Sequence, residues 1–166
     1  MSRPLPTLVA IAVAAALAGA PAIAALPTRP VLSLAAAQKM VDGCVAFAQA
    51  NRLRVAVVVK DAGDAVIASA RMDGAAIATY DGALLKSSSS ARIGVPTSLL
   101  AKFGFDEKTG QPTASAFTPG VVLFAGGLPV KAGDATVGAI GVSGAMPGDD
   151  ERCAQAGLDA AAADLR

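Results

Sequence analysis

Apolar residues recur along the first half of the chain with two different periods. Ser33 can cap a helix, and apolar positions after it repeat at helical spacing, which predicts a helix over 33–50: Leu34, Ala37, Val41, Cys44, Val45 and Ala48. The segment RVAVVVK (54–60) instead places every second valine on one face, as a strand does. A second β-like run follows at 65–72, after the turn sequence DAGD. Two strands joined by so short a turn are typical of a hairpin.

Helical spacing returns over 77–93 and includes four consecutive serines, Ser87–Ser90. Such a run alone is typical of a solvated linker. We interpret it as helical because the flanking residues keep the period. Pro96 ends this element, and Thr97 can cap a short helix that runs to about Phe103.

The last third of the chain combines a loop, glycine-rich strands and a helix. Residues 105–120 are rich in Gly, Pro, Thr and Ser and are predicted to form a loop. The glycines of 125–145 fit neither a dinucleotide-binding turn nor a P-loop, so this stretch is predicted to be a second hairpin around Ala132-Gly133-Asp134. Its glycines either let a helix lie close to the sheet or face a ligand. Pro147 and an acidic first turn predict a final helix over 147–166, with a small-residue face that permits close packing. The sequence therefore predicts an α+β domain, an antiparallel sheet packed by helices.

The N-terminal residues form a separate unit. Arg3 precedes a short apolar run, Leu8–Ala20, and Ala22 and Ala24 supply the small residues that a signal peptidase reads. We therefore expect a secretory signal peptide at 1–24, a single domain at 25–166, and a periplasmic or secreted protein without a membrane anchor after cleavage.

Charge and composition exclude several functional classes. The chain has 14 Lys and Arg and 13 Asp and Glu, and removing Arg3 leaves 13 of each sign, so no basic surplus for nucleic acid remains. It contains no histidine, which excludes Ser-His-Asp and Cys-His nucleophile systems and the usual zinc sites. No catalytic residue is assigned, and the identity of any metal ligand stays open.

Cys44 and Cys153 are the two cysteines of the chain. Export would place them in an oxidising compartment, where an even count permits a disulfide. We expect two separately buried thiols, because cysteine is a common core residue, and keep the bridge as the alternative.

Several stretches, taken in order, resemble one family. They are DAGDAVIASARMDGA (61–75), Lys86, VPTSLLAKFG (95–104), AGGLPV (125–130) and VGAIGVSGAMPGDDERCAQAGL (137–158). Together they are similar to the GlcG/HbpS-like family of haem-binding and glycolate-operon-associated proteins. This family is related to the C-terminal domain of the propanediol-utilisation cobalamin adenosyltransferase. The resemblance implies a profilin-like α/β/α domain with a roughly five-stranded antiparallel sheet. It also implies a homo-oligomer and, in some members, binding of haem or a related tetrapyrrole. Ser87–Ser90 depart from the bulkier residues of the family's central helix.

Four residues are candidates for cofactor binding. Asp73 either closes a turn or forms a rim over a ligand. Lys86 either pairs with a carboxylate such as Asp73 or Asp150 or holds a haem propionate. Thr97 caps a helix, and the resemblance places its Pro-Thr-Ser step near the haem site of haem-binding members. Tyr80 is the better chemical candidate for ferric iron, because a tyrosinate can ligate it. Methionines are soft donors but more often fill a core.

Three functions follow as hypotheses. The first is an exported, oligomeric haem-binding protein. The second is a non-catalytic accessory or ligand-sensing module for small hydroxy-acid or corrinoid metabolism. The third is an enzyme with Lys86 or Asp73 as acid or base, which requires a perturbed pKa.

Overall fold

The computed structural model describes residues 28–166 of the chain. The predicted signal peptide lies outside these residues. Ten helical and strand elements follow one another: α1 (Leu34–Ala50), β1 (Ala56–Asp61), β2 (Val66–Arg71), α2 (Ile77–Ile93), α3 (Thr97–Gly104), a 3₁₀ turn (Ala114–Phe117), β3 (Gly127–Ala132), β4 (Ala135–Ser143), α4 (Pro147–Ala160) and a second 3₁₀ turn (Ala162–Leu165). The predicted helices and both hairpins are confirmed. In the described part of the chain, no helix is long and apolar enough to cross a membrane.

The four strands form one antiparallel sheet in the order β2-β1-β4-β3. The class α+β is therefore confirmed, but the expected five strands are wrong within residues 28–166, where the sheet has four. The stretch between α3 and β3 forms turns, one isolated bridge (Phe105 to Pro112) and a 3₁₀ turn. Proline has no backbone N–H to donate and glycine weakens a strand, so this stretch does not pair as a further strand.

Helices cover both faces of the sheet, so the predicted α/β/α layering is confirmed. On one face, α1 and α4 pack over the main hydrophobic core. To this core β1 contributes Val57 and Val59, β4 contributes Ile140 and Val142, and Val55 joins it from just before β1. On the other face, α2 packs on the sheet through Ala83, which forms a small cluster with Ala56 and Val58 of β1.

The serine run of α2 is helical and buried rather than a solvated linker. Ser87 and Ser89 donate to the carbonyls of Leu84 and Leu85, at 3.0 and 2.8 Å, so their hydroxyls are satisfied inside the helix. Opposite this helix lies Gly141, where a Cβ atom would be 2.3 Å from the Ala83 carbonyl oxygen. Small residues on both sides therefore let α2 lie close to the sheet, one of the two roles considered for the strand glycines.

Cys44 and Cys153 form a disulfide that joins α1 to α4, so the expectation of two separate thiols is wrong. Gly43 and Gly157 explain it, because a Cβ at either would lie 2.6 Å from the opposing helix. This close approach brings the two cysteine Cα atoms to 4.7 Å, within the range that a disulfide spans. The predicted small-residue face of α4 is thus used within the chain, and it no longer supports self-association.

Candidate functional site

A buried ion pair lies at the end of the sheet where β4 ends and β3 begins. Lys86, in the middle of α2, places Nζ 2.7 Å from Oδ2 of Asp150, in the first turn of α4. The Lys86 and Asp150 side chains are only 7% and 2% exposed, so each buried charge needs the other to offset its loss of hydration. The other carboxylate oxygen, Oδ1, accepts a 2.9 Å hydrogen bond from the Ala145 backbone N–H. Of the two partners considered for Lys86, the structure selects Asp150.

Burial raises the pKa of the Asp150 carboxyl above its ordinary value. The hydrogen bond and charge of Lys86, and the backbone N–H groups of Ala145 and Gly144, act in the opposite direction without cancelling it. Keeping this buried carboxyl ionised costs free energy. Carboxyls with a pKa perturbed in this way are commoner at ligand sites than on ordinary surfaces.

Thr97 reaches the same place from α3. Its Oγ1 accepts a 2.9 Å bond from the Gly127 N–H and lies 3.4 Å from the Gly127 carbonyl oxygen, to which it donates. A Cβ on Gly127 would lie 2.7 Å from the Thr97 methyl group and 2.4 Å from the Lys86 carbonyl oxygen. The hydroxyl of this fully buried threonine is therefore occupied by the backbone of β3.

Gly126 completes the cluster. Its φ of +123° is a conformation that side chains rarely adopt. A Cβ there would lie 2.8 Å from the Asp150 Cβ and 3.0 Å from the Lys86 Nζ. The Gly126-Gly127 step therefore brings Lys86, Thr97 and Asp150 together.

An apolar groove of about 330 Å³ opens above the ion pair. Exposed Leu85 and Phe124 lie at its sides, and Lys86 and Asp150 form its polar part; the remaining lining residues are Gly82, Val122, Ser143, Ala145 and Pro147. Gly82 lets α2 approach the end of β4, because a Cβ there would lie 2.6 Å from the Ser143 hydroxyl oxygen. The groove offers a mostly apolar surface with one charged pair, an arrangement suited to an amphipathic ligand.

Tyr80 and Asp73 lie elsewhere. Tyr80 and Gly82 are two residues apart on α2, about 160° around the helix, so Tyr80 faces away from the groove. Its hydroxyl lies 3.1 Å from that of Ser69 on β2. Asp73 is exposed just after β2 and lines a different groove together with Arg54 and Arg71. The structure thus brings together two of the four candidates, Lys86 and Thr97.

Other donors do not converge on the groove. In residues 28–166 no three His, Cys, Asp or Glu side chains are grouped to hold a metal ion. Met40 is fully buried in the core, whereas Met146 is 73% exposed.

Sequence reasoning missed Phe124, Gly82 and Ser143 as groove residues. The glycines of 125–145 predict a close backbone approach or a ligand, but the sequence does not indicate that the Gly126-Gly127 step is the one beside Lys86 and Asp150. Phe124 precedes that step by two residues, and no local pattern distinguishes it from the other phenylalanines.

Comparison with known proteins gives a consistent result. Residues 32–159 match the family model described as "Haem degrading protein HbpS-like". A 15.0 kDa protein encoded in the dhaT–dhaS intergenic region of Citrobacter freundii is 32% identical over 136 residues, which cover 77% of this chain and 90% of that protein.

Two solved structures extend the comparison. A double mutant of HbpS from Streptomyces reticuli is 33% identical, with a TM-score of 0.71 over 93% of this chain and 97% of that one. The PduOC:haem complex also has a TM-score of 0.71, over 79% of this chain and 95% of that one, but at 23% identity it shows likeness of fold alone.

Proposed function

Because this chain belongs to the HbpS-like family, we propose that it is an exported, oligomeric protein that binds haem. The family and its haem-associated members support haem binding at the level of the family. Export and self-association rest on the signal pattern of residues 1–24 and on the resemblance.

The groove above Lys86 and Asp150 is the observation that carries this proposal. Haem is a flat apolar ring with two carboxylates, and the groove offers apolar walls beside an ammonium group. Only one hydrogen bond from Lys86 Nζ, to Asp150, is made among the described residues, although an ammonium group can donate three. We place the haem edge in this groove, with a propionate accepting from Lys86.

The groove is at the small end of the range for ligand sites, about 300–1,000 Å³. Much of the ring would therefore lie outside it, against the exposed face of Phe124 or a second subunit. Thr97 acts in this proposal by holding the Gly126-Gly127 step rather than by touching iron, since its hydroxyl is already bonded to Gly127.

Iron ligation must do without histidine. Tyr80 remains the proposed oxygen donor, and because it faces away from the groove it would reach this haem only from a second copy of the chain. Asp73 remains a proposed rim residue of a site between subunits, on the same reasoning.

Hemin titration followed in the Soret region tests the proposal. We expect a saturable change with one haem per chain or per pair of chains. Phe124→Ser should weaken binding about tenfold, because an exposed aromatic wall is lost. Phe117→Ser is the matched control, since Phe117 is 73% exposed and does not line the groove. The absence of a saturable change in the wild type would overturn haem binding.

Tyr80→Phe tests the ligand. If Tyr80 binds ferric iron, the wild type shows a high-spin tyrosinate spectrum that the variant lacks. Identical spectra for the two proteins would remove Tyr80 from the site.

An accessory, ligand-sensing role is the second candidate. The modest groove volume favours it, because a small carboxylate would fit wholly inside beside Lys86. Calorimetric titration with glycolate, with Lys86→Met for comparison, separates it from haem binding. Saturable glycolate binding without a Soret response would select this role.

Export is tested by N-terminal sequencing of the protein from the periplasm or medium. We expect residue 25 as the first residue, and a start at Met1 in that fraction would contradict the proposal.

A further inference from the structure

Four of the five phenylalanines of this chain lie on its surface. Phe47 packs against the core, whereas Phe103, Phe105, Phe117 and Phe124 are 60%, 47%, 73% and 64% exposed. Phenylalanine is a residue that folding normally buries. Large apolar surfaces left exposed in a soluble domain mark places where something else covers them.

Two of these rings lie in one groove that is separate from the proposed haem site. Phe103, in the last turn of α3, and Phe105, just after it, line a groove of about 570 Å³ together with Leu99 from the first turn of the same helix. None of the three belongs to the hydrophobic core of the described chain. Their exposed surfaces are therefore left uncovered by the core of the single subunit.

The groove is held in a defined shape. Asp106 Oδ1 accepts bonds from the backbone N–H groups of Lys108 and Thr109, at 3.0 and 2.8 Å. The Thr113 hydroxyl donates to the Phe103 carbonyl oxygen at 2.6 Å. A surface ordered in this way before binding loses less conformational entropy when it docks.

Charges of both signs line the groove. Lys102 and Lys108 contribute two positive charges, and Asp106 and Glu107 contribute two negative charges. Within residues 28–166, Lys102, Glu107 and Lys108 form no ion pair. An apolar centre with balanced charges can meet a second copy of itself, because a two-fold axis that runs between the two signs brings the lysines of one copy to the carboxylates of the other.

We propose that this aromatic surface, formed by Leu99, Phe103 and Phe105 with Lys102, Glu107 and Lys108, is a two-fold interface between two copies of the chain. The proposal rests on the oligomeric part of the proposed function and specifies where the copies meet. A partner of strong single charge fits less well, since the surface offers two charges of each sign.

Light scattering coupled to gel filtration of the exported protein tests the apolar part. We expect Phe103→Ser/Phe105→Ser to weaken the association at this surface by at least about a hundredfold, so that the mass at micromolar concentration falls. Phe117→Ser is the control, because it removes a ring that is 73% exposed and lies outside this surface, and it should leave the mass unchanged.

Charge reversal tests the pairing. Glu107→Lys and Lys108→Glu should each raise the dissociation constant at this surface about tenfold, because each leaves an excess of one sign. An equimolar mixture of the two variants should recover the wild-type mass, since opposite surfaces then meet.

The outcomes separate this surface from the rest of the proposal. A monomeric wild type would overturn this interface and the oligomer together. An unchanged mass for the double phenylalanine variant would overturn this interface alone. Failure of the mixture to recover the wild-type mass would overturn the two-fold charge pairing. Hemin titration of the same variants reports on haem independently.

Discussion

Lys86 and Asp150 are joined by a 2.7 Å ion pair although their helices lie on opposite faces of the sheet. The pair passes around the end of β4, where the two glycines at 126 and 127 leave room for it. One buried contact thus joins α2 on one face of the sheet to α4 on the other.

Removing Lys86 should be costly. Lys86→Met leaves Asp150 buried without its charge partner, and we expect about 3–5 kcal/mol of lost stability in guanidinium denaturation. Lys86→Met/Asp150→Asn should recover part of this, because the amide oxygen can still accept from Ala145. Lys39→Met, which breaks the exposed pair with Asp164, is the control and should cost at most about 1 kcal/mol. Equal losses for Lys86→Met and Lys39→Met would show that the buried pair has no special weight.

The hydroxyl of Thr97 should matter more than its shape. Thr97→Val keeps the volume but leaves the Gly127 N–H buried without an acceptor, which we expect to cost about 1–3 kcal/mol. Amide hydrogen exchange at Gly127 should become faster in the same variant. Thr118→Val, at an exposed position, should change stability by less than about 0.5 kcal/mol. Unaltered exchange at Gly127 would contradict the role given to Thr97.

Gly126 should not tolerate a side chain. Gly126→Ala adds a Cβ 2.6 Å from the Val142 carbonyl oxygen at a positive φ, so we expect a loss of at least about 3 kcal/mol. Gly148→Ala is the matched control, because nothing lies within 4 Å of its added Cβ. Thermal unfolding of the two variants measures the difference, and a near-native midpoint for Gly126→Ala would show that the step is more open than described.

The disulfide should be a large part of the stability. Cys44→Ala/Cys153→Ala should lose about 4–5 kcal/mol, since the bond closes a long loop, with its cysteines 109 residues apart. Dithiothreitol present during denaturation should bring the wild type to the same level and leave the variant unchanged. Equal midpoints for the two proteins without reductant would show that the bridge contributes nothing.

Asp64 should make stability depend on acidity. Burial acts to raise the pKa of its carboxyl, but hydrogen bonds from Lys60 and Ser88, with the charges of Lys60 and Arg92, outweigh it and lower that pKa. A lowered folded pKa stabilises the protein above the ordinary value of 3.8, and this contribution is lost as the pH falls through the folded pKa.

The free energies of unfolding of the wild type and Asp64→Asn should therefore differ at pH 6 and converge in strong acid. Asparagine suits the φ of 69° at this position, so the backbone stays unstrained. A difference in the free energy of unfolding that stays constant with pH would exclude titration of Asp64 as its cause.

Local patterns predicted the helices and both hairpins well, because the helical and strand periods are set by residues that are close together in the sequence. The helical period correctly predicted a helix through the serine run, in which the Ser87 and Ser89 hydroxyls bond to carbonyls of the same helix. The strand count failed because it came from the resemblance, and no sequence period at 105–120 supports a further strand.

Such local patterns could not predict contacts between residues that are far apart in the sequence. Lys86 and Asp150 are 64 residues apart, and sequence reasoning left two carboxylates open as partners. The disulfide depended on two helices approaching at Gly43 and Gly157, and glycine in a helix does not by itself indicate which element lies opposite. Phe124 could not be assigned to the groove for the same reason.

The bond between Cys44 and Cys153 closes a covalent ring that contains all four strands and the exposed segment 105–120. A protease that cuts this segment once therefore opens the ring without releasing a fragment. The two pieces stay linked, and each keeps one of the two hairpins that pair in the centre of the sheet, Val57 with Val142 and Val59 with Ile140. On a denaturing gel the nicked protein should run as one species until a thiol is added, and only then as two.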